Sequence, residues 1–322
     1  MIKVSVVIPT YNEELAIKEN VQRILATLDE IEDTSELVLV NDGSVDNTLK
    51  IVQEMAENDQ RIRIVSYGKN RGRGFAMKIG FKQARGEFVI TTESDLNWGS
   101  EIIKQFVEEL KKGDADIVIA SPHIKGGGMV NVPFHRWLLS YLGNRVFALV
   151  LPGRRTMSTG MTRSYRKEVL DALDLESESK VLHVEILYKA LDLGYRVKEV
   201  PATLTWKKPE PGEVVRKSHF KVRSIVSHLL MSLDVRPFLF FGIIGIILIA
   251  LGIIAGFYLL FVSLGGTSVA GRPLLFFSIL AIIGGMQMLI FGFLASQNRN
   301  IKRQIIRTQK LVKEFEKSDN EV

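Results

Sequence analysis

The sequence predicts an α/β fold, a mostly parallel sheet covered by helices, followed by a C-terminal two-helix transmembrane hairpin. Three observations predict it. Residues 1 to about 120 alternate short Val- and Ile-rich runs with helical patterns, the order that builds parallel sheets. Polar clusters follow three of those runs, at the strand ends where such sheets bind ligands. No charged side chain occurs from Pro237 to Gly271, or again from Pro273 to Asn298, and each stretch exceeds the ~20 apolar residues that cross a bilayer.

The strand-like runs are KVSVVIPT, ELVLVND, RIRIVSY, EFVITTE and ADIVIAS. Between the first two, ELAIKENVQRILATL places apolar residues three and four apart, as an amphipathic helix requires. TYNEE follows the first run, NDGSVDNT the second and ESDLN the fourth, so all three should open into one crevice.

After the GGG break at 126–128, VPFHRWLLSYLGNRVFALVLPG reads as a helix with Arg136, Ser140 and Asn144 four residues apart. It is either a core helix with one polar stripe or, beside a membrane anchor, an interfacial helix over 133–153. Residues 216–235 are basic first and apolar later, an amphipathic lead into the spans at 236–298. Two buried helices of a soluble core would need a polar face, which FLFFGIIGIILIALGIIAGFYLLFVSL lacks. The tail, 299–322, interleaves Ile, Leu, Val and Phe with Lys and Arg. It is either a helix on the membrane surface or a pairing helix of a homo-oligomer.

Basic residues flank the spans, with Arg216, Lys217, Lys221, Arg223 and Arg236 before and six Lys or Arg from Arg299 to Lys313 after. The loop between carries only Arg272, so the positive-inside tendency puts both termini in the cytoplasm. MIKVSVVIPT has no signal-peptide architecture, and the 1–215 domain is expected to be cytoplasmic too. The net charge of +6 clusters at the spans, which favours anionic lipid over nucleic acid. The absence of cysteine excludes disulfides, thiolate metal sites and cysteine catalysis.

Among the polar clusters, Asp42 ends a strand at a Gly-containing turn, where it could accept from a base N–H or a ribose hydroxyl. A turn or N-cap aspartate would read the same way. In NRGRGFAMKIG, Gly72 and Gly74 allow close backbone approach and Arg71 and Arg73 offer charge to phosphate, but the spacing fits neither a Walker loop nor GxGxxG. ESDLN sets Glu93, Asp95 and Asn97 two residues apart, an oxygen set suited to Mg²⁺ or Mn²⁺. Solvated acids in a turn are the alternative.

Together PTYNEE, NDGSVDNT, NRGRGFAMKIGFKQARGE and TTESDLNW, in this order, resemble the inverting family-2 glycosyltransferases with a GT-A fold. STGMTRSYRKEVL, HVEILYKALDLGYRVKEVPATL, RKSHFK and the membrane helices resemble the polyprenyl- and dolichyl-phosphate sugar synthases of that family, the dolichol-phosphate mannose synthase type. The resemblance implies a metal-dependent transfer of one sugar from a nucleotide sugar to a polyprenyl or dolichyl phosphate. Pro9, Tyr11, Glu13 and Asp42 match base- and ribose-binding positions, and Arg71 the segment near the donor phosphates. Glu93 and Asp95 match the metal motif, with Asn97 where relatives often carry Gln. Arg136 and Ser140 match the pair that holds the acceptor phosphate, and Arg216 and Lys217 the basic element that closes over the donor. Three positions depart from the pattern: Glu93 replaces the usual first Asp, Ser121-Pro122 stands where many have Ser-Arg, and RRTMSTGM lacks an Asp.

An acceptor phosphate is anionic near neutral pH, so the implied single displacement with inversion needs no strong base. The main cost is bringing two anions together, which Asp95 with its metal, Arg71, Arg136, Arg216 and Lys217 would offset. His183 and Glu185, on one helix, could assist. Both GDP-mannose and UDP-glucose remain open as donors. Two alternatives are a processive polysaccharide synthase, disfavoured because the sole Arg-Trp lacks a QxxRW context, and a non-catalytic nucleotide-sugar-binding membrane partner.

Overall fold

The structure is a computed structural model that describes residues 2–134, 137–138, 140–141, 144, 155–179, 181–206 and 237–319. It divides into two compact units, residues 1–219 with 309–322, and residues 220–308.

The first unit is built on a seven-stranded sheet in the order β3-β2-β1-β4-β7-β5-β8. All five strands read from the sequence are present: β1 (Val4–Thr10), β2 (Ser35–Asn41), β3 (Ile62–Ser66), β4 (Phe88–Thr91) and β5 (Ile117–Ser121). β1, β2 and β5 are almost wholly buried, as expected where a sheet is covered and hydrophobic runs are continuous. Each Val, Ile or Leu removed from water there contributes about 1.5–3 kcal/mol before the entropy of ordering is subtracted.

Two strands of this sheet carry no strand-like pattern in the sequence. β7 (Arg163–Arg166) lies between β4 and β5 and runs antiparallel to both, while β8 (Val197–Pro201) extends the sheet in parallel beyond β5. RSYR looks like surface, yet Arg163 is fully buried. Its guanidinium donates to the carbonyls of His183 and Ser158 at 2.8 and 2.6 Å, which is how a charged residue sits in a central strand.

Helix α1 (Ile17–Asp29) buries Ile17, Val21, Ile24 and Leu28 along one face. It packs against α2 (Thr48–Asn58) and α4 (Ile102–Lys111), while α3 (Arg73–Gln83) packs on β1 and β2. Further on come α5 (Lys167–Ala172) and α6 (Leu182–Asp192). A small parallel ribbon pairs β6 (Gly128–Val130) with β9 (Thr203–Thr205). At the lower edge of the sheet Glu36 is buried and accepts from Ser5 Oγ, the Arg85 N–H and Arg63 Nη1 at 2.5, 2.7 and 2.9 Å.

The second unit holds α7 (Pro237–Leu264) and the first part of α8 (Pro273–Asp319). The stretches Phe240–Leu264 and Pro273–Lys302 are long and apolar enough to cross a membrane. Large apolar side chains such as Phe257 and Phe261 point outward, a surface that hydrocarbon covers and water does not. The helices meet along small residues. A methyl group at Gly245 would come 2.7 Å from the Gly285 carbonyl oxygen, and one at Gly252 would come 2.8 Å from that of Ser278. Ser278 Oγ donates to the Gly252 carbonyl at 2.8 Å. The tail expected as a separate segment from 299 continues α8 without a break to Asp319.

Candidate functional site

The loops after β1, β2 and β4 leave the same edge of the sheet, because these strands are parallel neighbours. They are laced together. The Asn12 N–H donates to Ser44 Oγ at 3.0 Å and the Val45 N–H to Asn12 Oδ1 at 2.9 Å. The Glu13 N–H donates to Thr48 Oγ1 at 2.7 Å. Asn12 takes a left-handed φ of 52°, a conformation asparagine tolerates better than most residues. Pro9 is buried in β1, while Tyr11 stands 38% exposed at the mouth.

Asp42 sits at the end of β2, 3% exposed. Its carboxylate accepts from Tyr67 Oη at 2.9 Å, Asn70 Nδ2 at 3.1 Å, and the backbone N–H groups of Arg71 and Gly72 at 2.8 and 2.9 Å. The residue therefore organises the loop after β3. Burial first, and then the bond to Asp42, pushes the Tyr67 phenol above its ordinary pKa. The fit is tight: Gly43 has φ 67°, and a side chain there would come 2.6 Å from the Asn70 nitrogen.

The loop so held presents Arg71 and Arg73. Arg71 is bound by Glu178 at 3.0 Å and lies 3.4 Å above the Phe75 ring. Arg73 reaches Glu93 at 3.0 Å. Glu178 belongs to a segment fixed from α6, where Glu185 accepts from the N–H groups of Glu176 and Ser177 at 2.9 Å each and pairs with Lys189 at 2.8 Å. Burial raises the Glu185 pKa, but these bonds outweigh it and hold the carboxyl below the usual carboxylate range. His183 and Glu185 do share a helix, and both are buried. Glu185 acts there as the anchor of the segment that meets Arg71.

In the ESDLN turn, Asn97 Nδ2 donates to Asp95 Oδ2 at 2.6 Å and the Asn97 N–H to Asp95 Oδ1 at 3.3 Å. Leu96 between them is buried at a left-handed φ of 48°, costly for a leucine and held here by its neighbours. Asn20 Nδ2 donates to the Ser94 carbonyl at 2.8 Å, and the Thr205 N–H to the Asn97 carbonyl at 2.8 Å. Among the described residues no three His, Asp or Glu side chains form a metal cluster. Two carboxylates and an amide oxygen on one turn fit a hard cation that completes its shell from phosphate and water. Within the turn, Asp95 carries the Asn97 amide on one oxygen, while Glu93 bridges to Arg73 on the neighbouring loop.

Beyond β5, Ser121 Oγ and Thr156 Oγ1 are 2.7 Å apart, and Glu199 accepts from Thr156 Oγ1 at 2.9 Å and from the Thr156 and Met157 N–H groups at 3.0 and 2.7 Å. Asn144 joins this loop to the expected interfacial helix: its Oδ1 accepts from the Ser158 N–H at 2.9 Å, and its Nδ2 donates to the Ser140 carbonyl at 3.0 Å. Asn144, 4% exposed, thus belongs to the protein-facing side, and Ser140, one turn earlier, is half-buried. Phe134, Trp137 and Tyr141 stack at 5.6 and 5.5 Å between centroids, with Phe134 72% exposed. Arg136, Arg216, Lys217 and the 216–235 segment lie outside the described residues.

Sequence reasoning missed Tyr67, Asn70, Glu178 and Glu199. Each acts on a loop distant in sequence, and only the Asn-Arg-Gly turn gave a local signal.

Comparison with known proteins agrees with this architecture. The family described as Glycosyl transferase family 2 matches residues 5–174. A dolichol-phosphate mannosyltransferase of Pyrococcus furiosus is 32% identical over 82% of this chain and 73% of its own length. An undecaprenyl-phosphate 4-deoxy-4-formamido-L-arabinose transferase of Proteus mirabilis is 27% identical over 91% and 87%. Among solved structures, glucosyl-3-phosphoglycerate synthase from Mycobacterium tuberculosis with phosphoglyceric acid superposes with a TM-score of 0.54 at 19% identity, covering 71% of this chain and 79% of that one. The same enzyme with Mn²⁺, uridine diphosphate and phosphoglyceric acid gives 0.53. The expected GT-A-like fold is the observed one.

Proposed function

This chain belongs to glycosyl transferase family 2, and from that premise we propose that it moves one monosaccharide from a nucleotide sugar to a polyprenyl or dolichyl phosphate at the cytoplasmic membrane face. The observation that carries the proposal is the Arg73–Glu93 bridge at 3.0 Å. It ties the basic loop of α3 to the acidic turn after β4, in a chain that also carries an apolar hairpin.

Pro9, Tyr11, Glu13 and Asp42 form the proposed base and ribose site. Asp42 contributes by fixing the Tyr67–Gly72 loop that closes it. Arg71 leaves Glu178 to meet the donor diphosphate, an exchange of one exposed partner for a more highly charged one. Asp95, with Glu93 and Asn97 beside it, would hold Mg²⁺ or Mn²⁺, which supplies positive charge to the departing diphosphate. Arg136 and Ser140 hold the acceptor phosphate, and Arg216 and Lys217 close over the donor. Because the acceptor oxygen is already ionised, these side chains need only align it with the anomeric carbon and offset repulsion between two anions. Trp137 and its stacked neighbours suit the headgroup region, where amphipathic rings concentrate. Basic residues flanking both spans support cytoplasmic termini.

The test is product formation by purified protein with a polyprenyl phosphate, Mn²⁺ or Mg²⁺, and GDP-mannose or UDP-glucose in parallel. A sugar-lipid from one donor, lost in Asp95→Ala, is expected. Binding of a nucleotide sugar without any sugar-lipid across the panel would exclude the enzymatic reading. A thermal-shift series with both nucleotides identifies the base, since ligand binding to the native state raises stability.

A further inference from the structure

Helix α8 has two distinct faces. Ser278, Gly285 and Gly292 recur every seven residues and pack on α7. A second row, Gln287, Phe291, Leu294, Asn298, Ile301 and Ile305, recurs at alternating spacings of four and three, the repeat of a coiled-coil seam. It lies roughly 130° around the helix from the glycine row. All six of its residues are exposed.

Gln287 sits within the apolar span, fifteen residues past Arg272 and twelve before Arg299. Ser278 is the other polar side chain between Pro273 and Leu294, and it is buried against α7 with its hydroxyl satisfied. Gln287 instead faces outward, where lipid tails offer an amide no hydrogen bond. Gly284, three residues earlier in the same row, has no atom within 4 Å of where a Cβ would stand, so another backbone can approach closely there.

We propose that this row is a parallel helix–helix interface with the same face of a second copy of this chain. Two copies share one membrane orientation, so their α8 helices run parallel and identical residues lie level. A primary amide is both donor and acceptor, so Gln287 meets Gln287 and Asn298 meets Asn298 as complementary partners. A polar residue at such a position fixes register in parallel pairs. Six of the seven basic residues from Arg299 to Lys317 fall at positions that neither lie on the row nor flank it, Lys302 being the exception. Pairing therefore sets no line of like charges face to face. A tail lying flat on the membrane would require the helix to break where it leaves the bilayer, and α8 is continuous through Asp319.

The chain has no cysteine, so single introduced thiols report contacts without background. Gln287→Cys and Ile301→Cys lie on the row, while Met286→Cys and Phe293→Cys are exposed off it. On oxidation of the full-length protein in nanodiscs or native membranes, the first two should give covalent dimer roughly tenfold in excess of the others, since disulfides form only at close Cβ separation. Equal cross-linking at all four overturns the proposal. So does protection of Ile301→Cys from a water-soluble maleimide by anionic vesicles without cross-linking, which would mean lipid occupies the face. Gln287→Leu should weaken the dimer about three- to tenfold in detergent, measured by light scattering against protein concentration. A constant monomeric mass in the unsubstituted protein overturns the interface.

Discussion

The guanidinium of Arg73 stands 3.0 Å from the carboxylate of Glu93. This contact explains how two acids separated by one residue share a strand end: Glu93 is balanced by the neighbouring loop and Asp95 is oriented by Asn97. The two acids should therefore fail differently when neutralised. Asp95→Asn is expected to lower kcat roughly a hundredfold or more, the scale seen when a group aimed at developing charge is lost. Glu93→Gln should cost less, about tenfold, and mainly in the metal concentration needed for half-maximal rate. Steady-state rates across a Mn²⁺ titration separate the two. Equal losses at saturating metal would mean that both acids hold the cation directly.

Asp42 organises the Tyr67–Gly72 loop through four donors on one carboxylate. Asp42→Ala removes the acceptor of two partly buried N–H groups and of the Tyr67 and Asn70 side chains, a loss of about 0.5–1.5 kcal/mol per bond. The expected result is faster amide hydrogen exchange at residues 67–72 and a higher donor KM, with slow exchange retained in β1 and β2. An unchanged exchange pattern would return Asp42 to a role confined to the nucleotide.

A methyl group at Gly74 would overlap the Glu178 and Ser179 backbone, coming within 2.7 Å of the Glu178 oxygen. Gly68, in the same loop, has nothing within 4 Å. Gly74→Ala should displace α3 from the 174–179 segment and reduce transfer at least tenfold, since a small misplacement of a positioning loop is costly. Gly68→Ala should be neutral. Activity and melting temperature measured side by side check the contrast, and matching phenotypes would refute it.

The parts of the molecule legible in the sequence were those with local patterns. β1, β2, β4 and β5 could be read because buried strands are continuous apolar runs rich in Val and Ile. The half-buried β3 could be read because Ile62, Ile64 and Val65 fall in one short run, and the spans because a bilayer demands uniform apolarity. β7 could not, because RSYR is stabilised by Arg163 reaching carbonyls of Ser158 and His183, contacts no local pattern encodes. ESDLN and NDGS were visible as polar strand ends. The bonds that give them shape, from Tyr67, Asn70 and Arg73, arise from a loop more than twenty residues away along the chain from Asp42, or twenty from Glu93.

Glu36 supplies a pH-dependent share of stability. Burial alone would raise its pKa, but Ser5, the Arg85 N–H and Arg63 together hold it below the ordinary glutamate range. A carboxyl whose folded pKa is depressed stabilises the protein above its unfolded pKa and loses that contribution as pH falls through the folded value. The melting temperature of the native protein should therefore fall on acidification below about pH 4.5. Glu36→Gln should be less stable near pH 7, and the gap should narrow toward pH 3. A gap that is constant from pH 7 to pH 3 would remove Glu36 from this account.

Gly284 and Gly285 are adjacent in sequence but face different surroundings. A Cβ at Gly285 would stand 2.6 Å from the Gly245 carbonyl oxygen and 2.7 Å from Ile249 Cγ1, whereas one at Gly284 meets nothing. Backbone on a facing helix cannot rotate away as a flexible side chain can, so Gly285→Leu must push α7 and α8 apart along their contact row. Dispersion between closely packed helices is a principal attraction in hydrocarbon, where no hydrophobic effect holds helices together. Gly285→Leu should therefore lower the hairpin's thermal stability and expose the α7–α8 seam to proteolysis in detergent. Gly284→Leu should leave the hairpin intact and, because it fills the outward row beside Gln287, alter only the association of copies. A Gly284→Leu hairpin as unstable as Gly285→Leu would show that both glycines face α7.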